Sequence, residues 1–236
     1  MREAGRVTAR ALRLVGEAVR AGVTTRELDA IAEAAIREEG AAPAFLGYNG
    51  FPASICSSLN DQVVHGIPGK VRVREGDILS VDIGAIVDGY YGDCARTFAV
   101  GDIGDVAERL LQATQRALEA GIAQCVAGKR LYDISHAVQA VAEGAGFSVV
   151  REYVGHGSGR EMHEEPQVPN YGPAGKWPEL KEGMVFAIEP MINSGGAGVK
   201  SLPDGWTVVT QDGSLSAHFE HTVAITADGP LVLTLG

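Results

Sequence analysis

The run "ILSVDIGAIVDGYYGDCARTFAV", Ile78 to Val100, alternates apolar and small residues on either side of a single Asp88-Gly89 pair. Asp-Gly is a favoured pair for a two-residue type I′ hairpin, because both central positions of that turn need a positive φ. The turn fixes the pairing: Val87 faces Tyr90, Asp82 faces Ala95, and Asp93 faces Gly84. Asp82 and Asp93 then share one face as diagonal neighbours, about 7–8 Å apart. The residues directly opposite them are small and leave room between them. Two bare carboxylates so placed repel each other, and a cation between them removes that cost. The plainer reading makes Asp93 an edge residue and Asp82 a solvated one. Leu79, Val81, Ile83 and Ile86 around Asp82 count against it, whereas Asp88 is fully explained by its turn.

Outward from the hairpin, the chain reads twice. Arg6 to Val19 has apolar residues at helical spacing, and Thr24-Thr25-Arg26-Glu27 is a capping box opening a second helix that Gly40 closes. Val106 to Cys125 is again helical, followed by "AGKRLYDISHAVQAVAEGAG" from Ala127. Laid on "AGVTTRELDAIAEAAIREEG" from Ala21, this segment aligns Leu28 with Ile134, Ile31 with Ala137, Ala35 with Val141 and Gly40 with Gly146 at a constant offset. Each helical pair leads into strand-like sequence, Ile78 to Asp82 first and Met184 to Glu189 second, and the offset carries Asp82 to within one residue of Glu189. The expectation is an α/β (α+β) fold of two pseudo-symmetric halves, about 1–100 and 101–236. No linker divides them, so 1–236 is read as a single domain.

Glu189 lies in "VFAIEPMI", an apolar strand ended by Pro190, where a buried carboxylate needs a partner. Glu220 in "SAHFEHTVAIT" is again a charge within a strand pattern. In "GHGSGREMHEEP", Gly155 to Pro166, His156 and His163 stand among glycines. Any one of these has an ordinary structural explanation. Two Asp, two Glu and a His together point to a metal site, and an oxygen-rich set with one imidazole suits Mn, Co, Fe or Zn better than a tetrahedral thiolate zinc site. Rival motifs fail: His163-Glu164-Glu165-Pro166-Gln167 is not H-E-x-x-H, Ser158 is not in a nucleophile elbow, and no dinucleotide or phosphate loop is present. Cys56, Cys94 and Cys125 form no C-x-x-C pair, which fits a reducing cytoplasm. Hydrophobic residues are 45% and charged ones 21%, and no apolar run reaches membrane-span length. The net charge of −10 argues against nucleic acid as a main partner.

These five residues in this order, with "LNDQVVHGIP", "GDCARTF", "GHGSGREMHEEPQVPNYG", "FAIEPM" and "DGWTVVTQDGSLSAHFEHTVAIT", closely resemble the type I methionine aminopeptidases over nearly the whole chain. The resemblance implies a pita-bread fold with a curved antiparallel sheet covered by helices. It implies two divalent ions, one held by Asp82, Asp93 and Glu220 and the other by Asp93, His156, Glu189 and Glu220. Glu189 would also serve as general base. His65 would meet the substrate near the scissile nitrogen, and His163 would stabilise the carbonyl oxygen. Tyr48, Phe51, Cys56, Met162 and Trp206 would form the methionine pocket, and Asn60 with Ser216 a monovalent-cation site.

The chain departs from the family's pattern in a first helix that begins at "REAGR", without the turn or two of preceding sequence usual in relatives, and in Phe45, where a smaller residue is frequent. The implied activity is co-translational removal of initiator methionine from nascent polypeptides whose second residue is small, by a monomer in transient contact with the ribosome. Arg2 is large, so the chain is expected to keep its own Met1. A proline-directed peptidase of the same fold is the runner-up; its extra N-terminal domain has no room here. A noncatalytic binding module is disfavoured, since it has no need of all five ligands.

Overall fold

In the computed structural model, which describes residues 1–235, two helices lead the chain: α1 (Arg2–Ala18) and α2 (Thr25–Glu38). β1 (Ala42–Pro43), β2 (Ile55–Leu59), β3 (Gln62–Val64), β4 (Ile78–Val87) and β5 (Tyr90–Ala99) follow. A second pair, α3 (Gly104–Ile122) and α4 (Leu131–Gly144), precedes β6 (Ser148–Val149), β7 (Gly155–Gly157), β8 (Glu164–Val168) and β9 (Val185–Ile188). The chain closes through β10 (Met191–Asn193), β11 (Val199–Ser201), β12 (Val208–Thr210), β13 (Ser216–His218), β14 (Glu220–Thr226) and β15 (Gly229–Val232).

The capping box at Thr24 is formed, its hydroxyl accepting from the Glu27 N–H while the Glu27 carboxylate accepts from the Thr24 N–H. α4 repeats the N-terminal half of that device, with the Asp133 carboxylate accepting from the Arg130 N–H at 2.8 Å. α2 and α4 are both 14 residues long and begin 106 positions apart (131 − 25), so the offset read from the sequence is also a structural one. α1 begins four residues earlier than the apolar spacing indicates. Its first turn is held by tertiary packing: Gly5 lies against Leu233, Ala4 against Gly92, and the Thr8 hydroxyl contacts the carbonyls of Ala4 and Gly92.

All strand pairings are antiparallel. The main sheet runs β1-β4-β5-β14-β9-β7-β8, with β2 and β15 paired to β4 and β14. Asp88 (φ 50) and Gly89 (φ 74) make the turn, and the pairs Val87 with Tyr90, Asp82 with Ala95 and Gly84 with Asp93 form as the turn dictates. Each helical pair covers its own core on one side of the sheet. α1 and α2 pack Val7, Ala11, Leu28 and Ile36 against Leu79, Val81 and Ile83; α3 and α4 pack Leu110, Leu131, Ile134 and Val138 against Phe186, Ile188 and Val223. The opposite face of the sheet carries Ser80, Asp82, Asp93, Thr97 and Glu220.

"SAHFEHTVAIT" is not a single strand: β13 pairs with β10 in a separate three-stranded sheet, and only β14 joins the main one. The sheets part at Phe219 on one strand and at Pro190 on its neighbour, where the Phe219 N–H reaches the Pro190 carbonyl.

Candidate active site

Four strands of the main sheet, β4, β5, β14 and β7, each carry one of the five expected ligands, and Glu189 directly follows a fifth, β9, which lies between β14 and β7. Asp82, Ala95 and Glu220 form one cross-strand row, so the small Ala95 separates two carboxylates on the same face. β14 and β9 pair His221 with Ile188, which sets Glu220 beside Glu189, and β7 pairs His156 with Ala187, two residues before Glu189. The glycines flanking His156 are steric necessities: a Cβ on Gly155 would lie 2.3 Å from the Ala187 carbonyl oxygen, and one on Gly157 2.6 Å from that of Glu165. The backbone of β7 can lie this close to its neighbours only without side chains on either side of the histidine.

Ligand atoms of Asp93, His156 and Glu220 all lie within 4.8 Å of one another. His156 Nε2 is 3.5 Å from Glu189 Oε1 and 4.0 Å from Asp93 Oδ2. The other ring nitrogen, Nδ1, is 2.8 Å from the Gly157 carbonyl and donates to it, leaving Nε2 as the free lone pair facing the carboxylates. Asp82 Oδ1, Asp93 Oδ1 and Glu220 Oε1 are buried without any hydrogen-bond partner. Burial drives all four carboxyls above their ordinary range, Asp93 to about 7, and mutual repulsion adds to the shift of Asp82, Glu189 and Glu220. Burial, followed by the nearby His163, lowers His156 to about 4. Orphaned oxygens beside a neutral imidazole are a site that lacks positive charge, and these donors fit a divalent cation.

Above this floor is a cavity of about 210 Å³, lined by the ligands and by Phe45, Tyr48, Phe51, Cys56, His65, Met162, His163 and Trp206. At about 30 Å³ per water, that is roughly seven waters' worth, enough for one residue at a chain end. The five expected pocket residues pack into one apolar cluster with Ala44, Phe45 and Ala53. Trp206 meets Phe51 edge-on at 5.1 Å. It is placed by Asp204, whose carboxylate accepts from the backbone N–H groups of Trp206 and Thr207. Cys56 lies opposite Asp82, and burial pushes its thiol well up, so it is a wall and not a nucleophile.

The two accessory histidines also reach the cavity. His163 stands at its rim, 4.4 Å ring to ring from His156, with Nδ1 2.8 Å from the Tyr48 hydroxyl. The loop carrying Met162 and His163 is clamped to the first half of the chain: Tyr91 N–H donates to the Gly159 carbonyl, and the Arg160 guanidinium lies over the Tyr90 ring at 4.4 Å. His65 has a left-handed backbone (φ 60), an unusual state for a non-glycine residue, and burial lowers it to about 4. Asn60 and Ser216 are brought together, Ser216 N–H donating to the Asn60 carbonyl. The Asn60 side chain is already engaged with Asp77 and with the Ile78 N–H.

A sixth side chain, His218, also borders the carboxylates. It is 1% exposed, and its Nε2 is 3.8 Å from Glu189 Oε2 and 4.0 Å from Glu220 Oε2. No local motif marks it, since one of its partners is 29 residues away in sequence (218 − 189).

The description "Metallopeptidase family M24" fits residues 1–227 of the chain. Methionine aminopeptidase of Clostridium acetobutylicum is 54% identical over all of this chain and 94% of its own length, and methionine aminopeptidase 1 of Bacillus subtilis is 53% identical over 99% of this chain and 94% of its own. The crystal structure of methionine aminopeptidase from Thermotoga maritima superposes with a TM-score of 0.98 at 45% identity, covering 100% of this chain and 95% of that one. This is the pita-bread architecture expected from the sequence. A sheet that gathers four carboxylates and an imidazole under an apolar pocket, and likeness of this extent, place the chain in metallopeptidase family M24, among the methionine aminopeptidases.

Proposed function

We propose that the chain hydrolyses the N-terminal methionine from nascent proteins and peptides whose second residue is small. The observation that carries this reading is the convergence of five potential ligands, on or directly after five adjacent strands, on the floor of a cavity walled by Tyr48, Phe51, Cys56, Met162 and Trp206. The wall is apolar and includes sulfur and aromatic faces suited to a thioether. The cavity admits a chain end, which makes the enzyme an exopeptidase.

The site is assigned to two divalent ions, of the Co, Mn, Fe or Zn group. Asp82, Asp93 and Glu220 would hold the first, and Asp93, His156, Glu189 and Glu220 the second. When bound, such ions supply Lewis-acid polarisation of a carbonyl and lower the pKa of water. Glu189, beside His156, accepts the proton of the attacking water and returns it to the departing amine. His163 faces the scissile carbonyl oxygen as negative charge develops there. Tyr48 holds its Nδ1 and so directs Nε2 into the cavity. His65, fixed between Tyr153 and Trp206, lies toward the scissile nitrogen. Asn60 and Ser216 are assigned to a monovalent cation.

Among the described residues no helix is long and apolar enough to cross a membrane. We assign a cytoplasmic location, a single domain of two repeats, a monomeric state and transient ribosome contact to this reading. A peptide panel tests it: with metal supplied, Met-Ala-Ser should release methionine and Met-Arg-Ser should not. Cleavage of Ala-Pro in place of Met-Ala-Ser would move the chain to proline-directed peptidases.

A further inference from the structure

His218 takes no part in the chemistry above, yet it is buried beside two of the four carboxylates. Its Nε2 is buried without a hydrogen-bond partner, a state that native interiors seldom tolerate. The two carboxylates it faces divide their oxygens in the same way. Glu189 turns Oε1 toward His156 and Oε2 toward His218. Glu220 turns Oε2 toward His218, and its Oε1 is the buried, unpartnered oxygen. Each carboxylate thus turns Oε2 toward His218 and leaves Oε1 for other partners, His156 in the case of Glu189 and none in the case of Glu220. The gaps of 3.8 and 4.0 Å exceed hydrogen-bond length, and closing either one satisfies a buried donor.

The backbone beneath this ring is fixed. His218 N–H donates to Thr97 Oγ1, the Thr97 hydroxyl donates back to the His218 carbonyl, and Ser80 Oγ lies 2.8 Å from the same Thr97 oxygen. Ser80 and Thr97 belong to β4 and β5, the strands that carry Asp82 and Asp93. β13 also pairs His218 with Met191, two residues beyond Glu189. The backbone that carries the ring is therefore tied to β4 and β5 and set beside Glu189 and Glu220.

We infer that His218 is a positioning residue whose Nε2–H holds the outer oxygens of Glu189 and Glu220, keeping Glu189 Oε1 and Glu220 Oε1 turned into the cavity. Removing such an outer partner of metal-binding groups typically costs about 10–100-fold in affinity. The inference rests on the metal-centre reading, and one experiment separates them. Purified, chelated full-length chain is titrated with Co(II), following visible absorption and heat, as wild type, His218→Leu and His218→Gln. Leucine fills the space without a donor; glutamine places an amide N–H near the position of Nε2. The Leu variant should bind Co(II) about 10–100-fold more weakly with an altered absorption band, and the Gln variant should retain the wild-type affinity and band. Wild-type binding by the Leu variant would overturn the inference and leave the metal centre intact. Equal loss in both variants would overturn it by showing that the imidazole itself is required. Absence of Co(II) binding by the wild type would overturn both readings. Should the Leu variant not fold by circular dichroism, His218→Asn, whose amide is too short to reach the carboxylates, takes its place with the same expected loss.

Discussion

Glu189 shows how much a single side chain owes to its surroundings. In the metal-free site, burial first, and then the charges of Asp82 and Asp93, raise its pKa well above the usual carboxylate range; a divalent cation beside it would offset that repulsion and restore the carboxylate that the proposed general base requires. Glu189→Gln keeps the shape and removes the base, so kcat for Met-Ala-Ser should fall by about 10²–10⁴-fold, with the circular dichroism spectrum unchanged. Trp206 acts on binding instead. Burying a methionine side chain contributes about 1.5–3 kcal/mol, so Trp206→Ala should raise KM by roughly 10–100-fold with a smaller change in kcat; steady-state kinetics separate the two. The residues legible in the sequence were those with a local signature: Asp82 and Asp93 through their turn, Glu189 through its apolar strand, and His156 and His163 through their glycines. His218 had no such signature. Its role arises from a strand that leaves the main sheet at Phe219 and brings the ring against Glu189.

At the scale of elements, the first hairpin and α2 were readable because each is specified by short-range chemistry, Asp88-Gly89 in one case and a capping box in the other, and α4 was readable through its alignment with α2 at a constant offset. The break between β13 and β14 was not, because Ser216 to Thr226 alternates as one strand would and only the competing partner β10 divides it. The start of α1 at Arg2 agrees with a first helix opening at "REAGR", although apolar spacing alone begins only at Arg6, because packing against Gly92 and Leu233 holds the first turn. Thr24→Ala removes the side-chain half of the α2 cap and should cost about 1 kcal/mol of stability, measured by urea denaturation, with kcat unchanged because α2 lies on the far side of the sheet from the site.

For the whole molecule, the four carboxylates make the metal-free chain pH-sensitive in a definite direction. A group whose folded pKa is raised, such as Asp93 at about 7 against an ordinary 3.8, contributes stability below the lower value and loses it as pH rises through the upper one. His65 and His156, lowered to about 4 from 6.5, act oppositely, losing stability as pH falls through that window. Above about pH 6.5 the histidines are already neutral and only the carboxyls still titrate. The Tm of chelated protein should therefore fall between about pH 6.5 and 8. A divalent ion should cancel that fall. At a hundredfold excess over Kd it contributes about 2.7 kcal/mol, roughly 5–11 °C for a chain of this size. A chelated protein whose Tm is flat across this range would contradict the charge balance of the site.

The central claim is that the five converging side chains form a metal-dependent centre for removing N-terminal methionine. Release of free methionine from Met-Ala-Ser is measured with chelated protein, before and after adding Co(II), Mn(II) or Fe(II), for the wild type and for Glu189→Ala. The wild type should release methionine only after metal is restored, and the variant none above background. Equal release by chelated and metal-restored protein, or by Glu189→Ala, would contradict the claim.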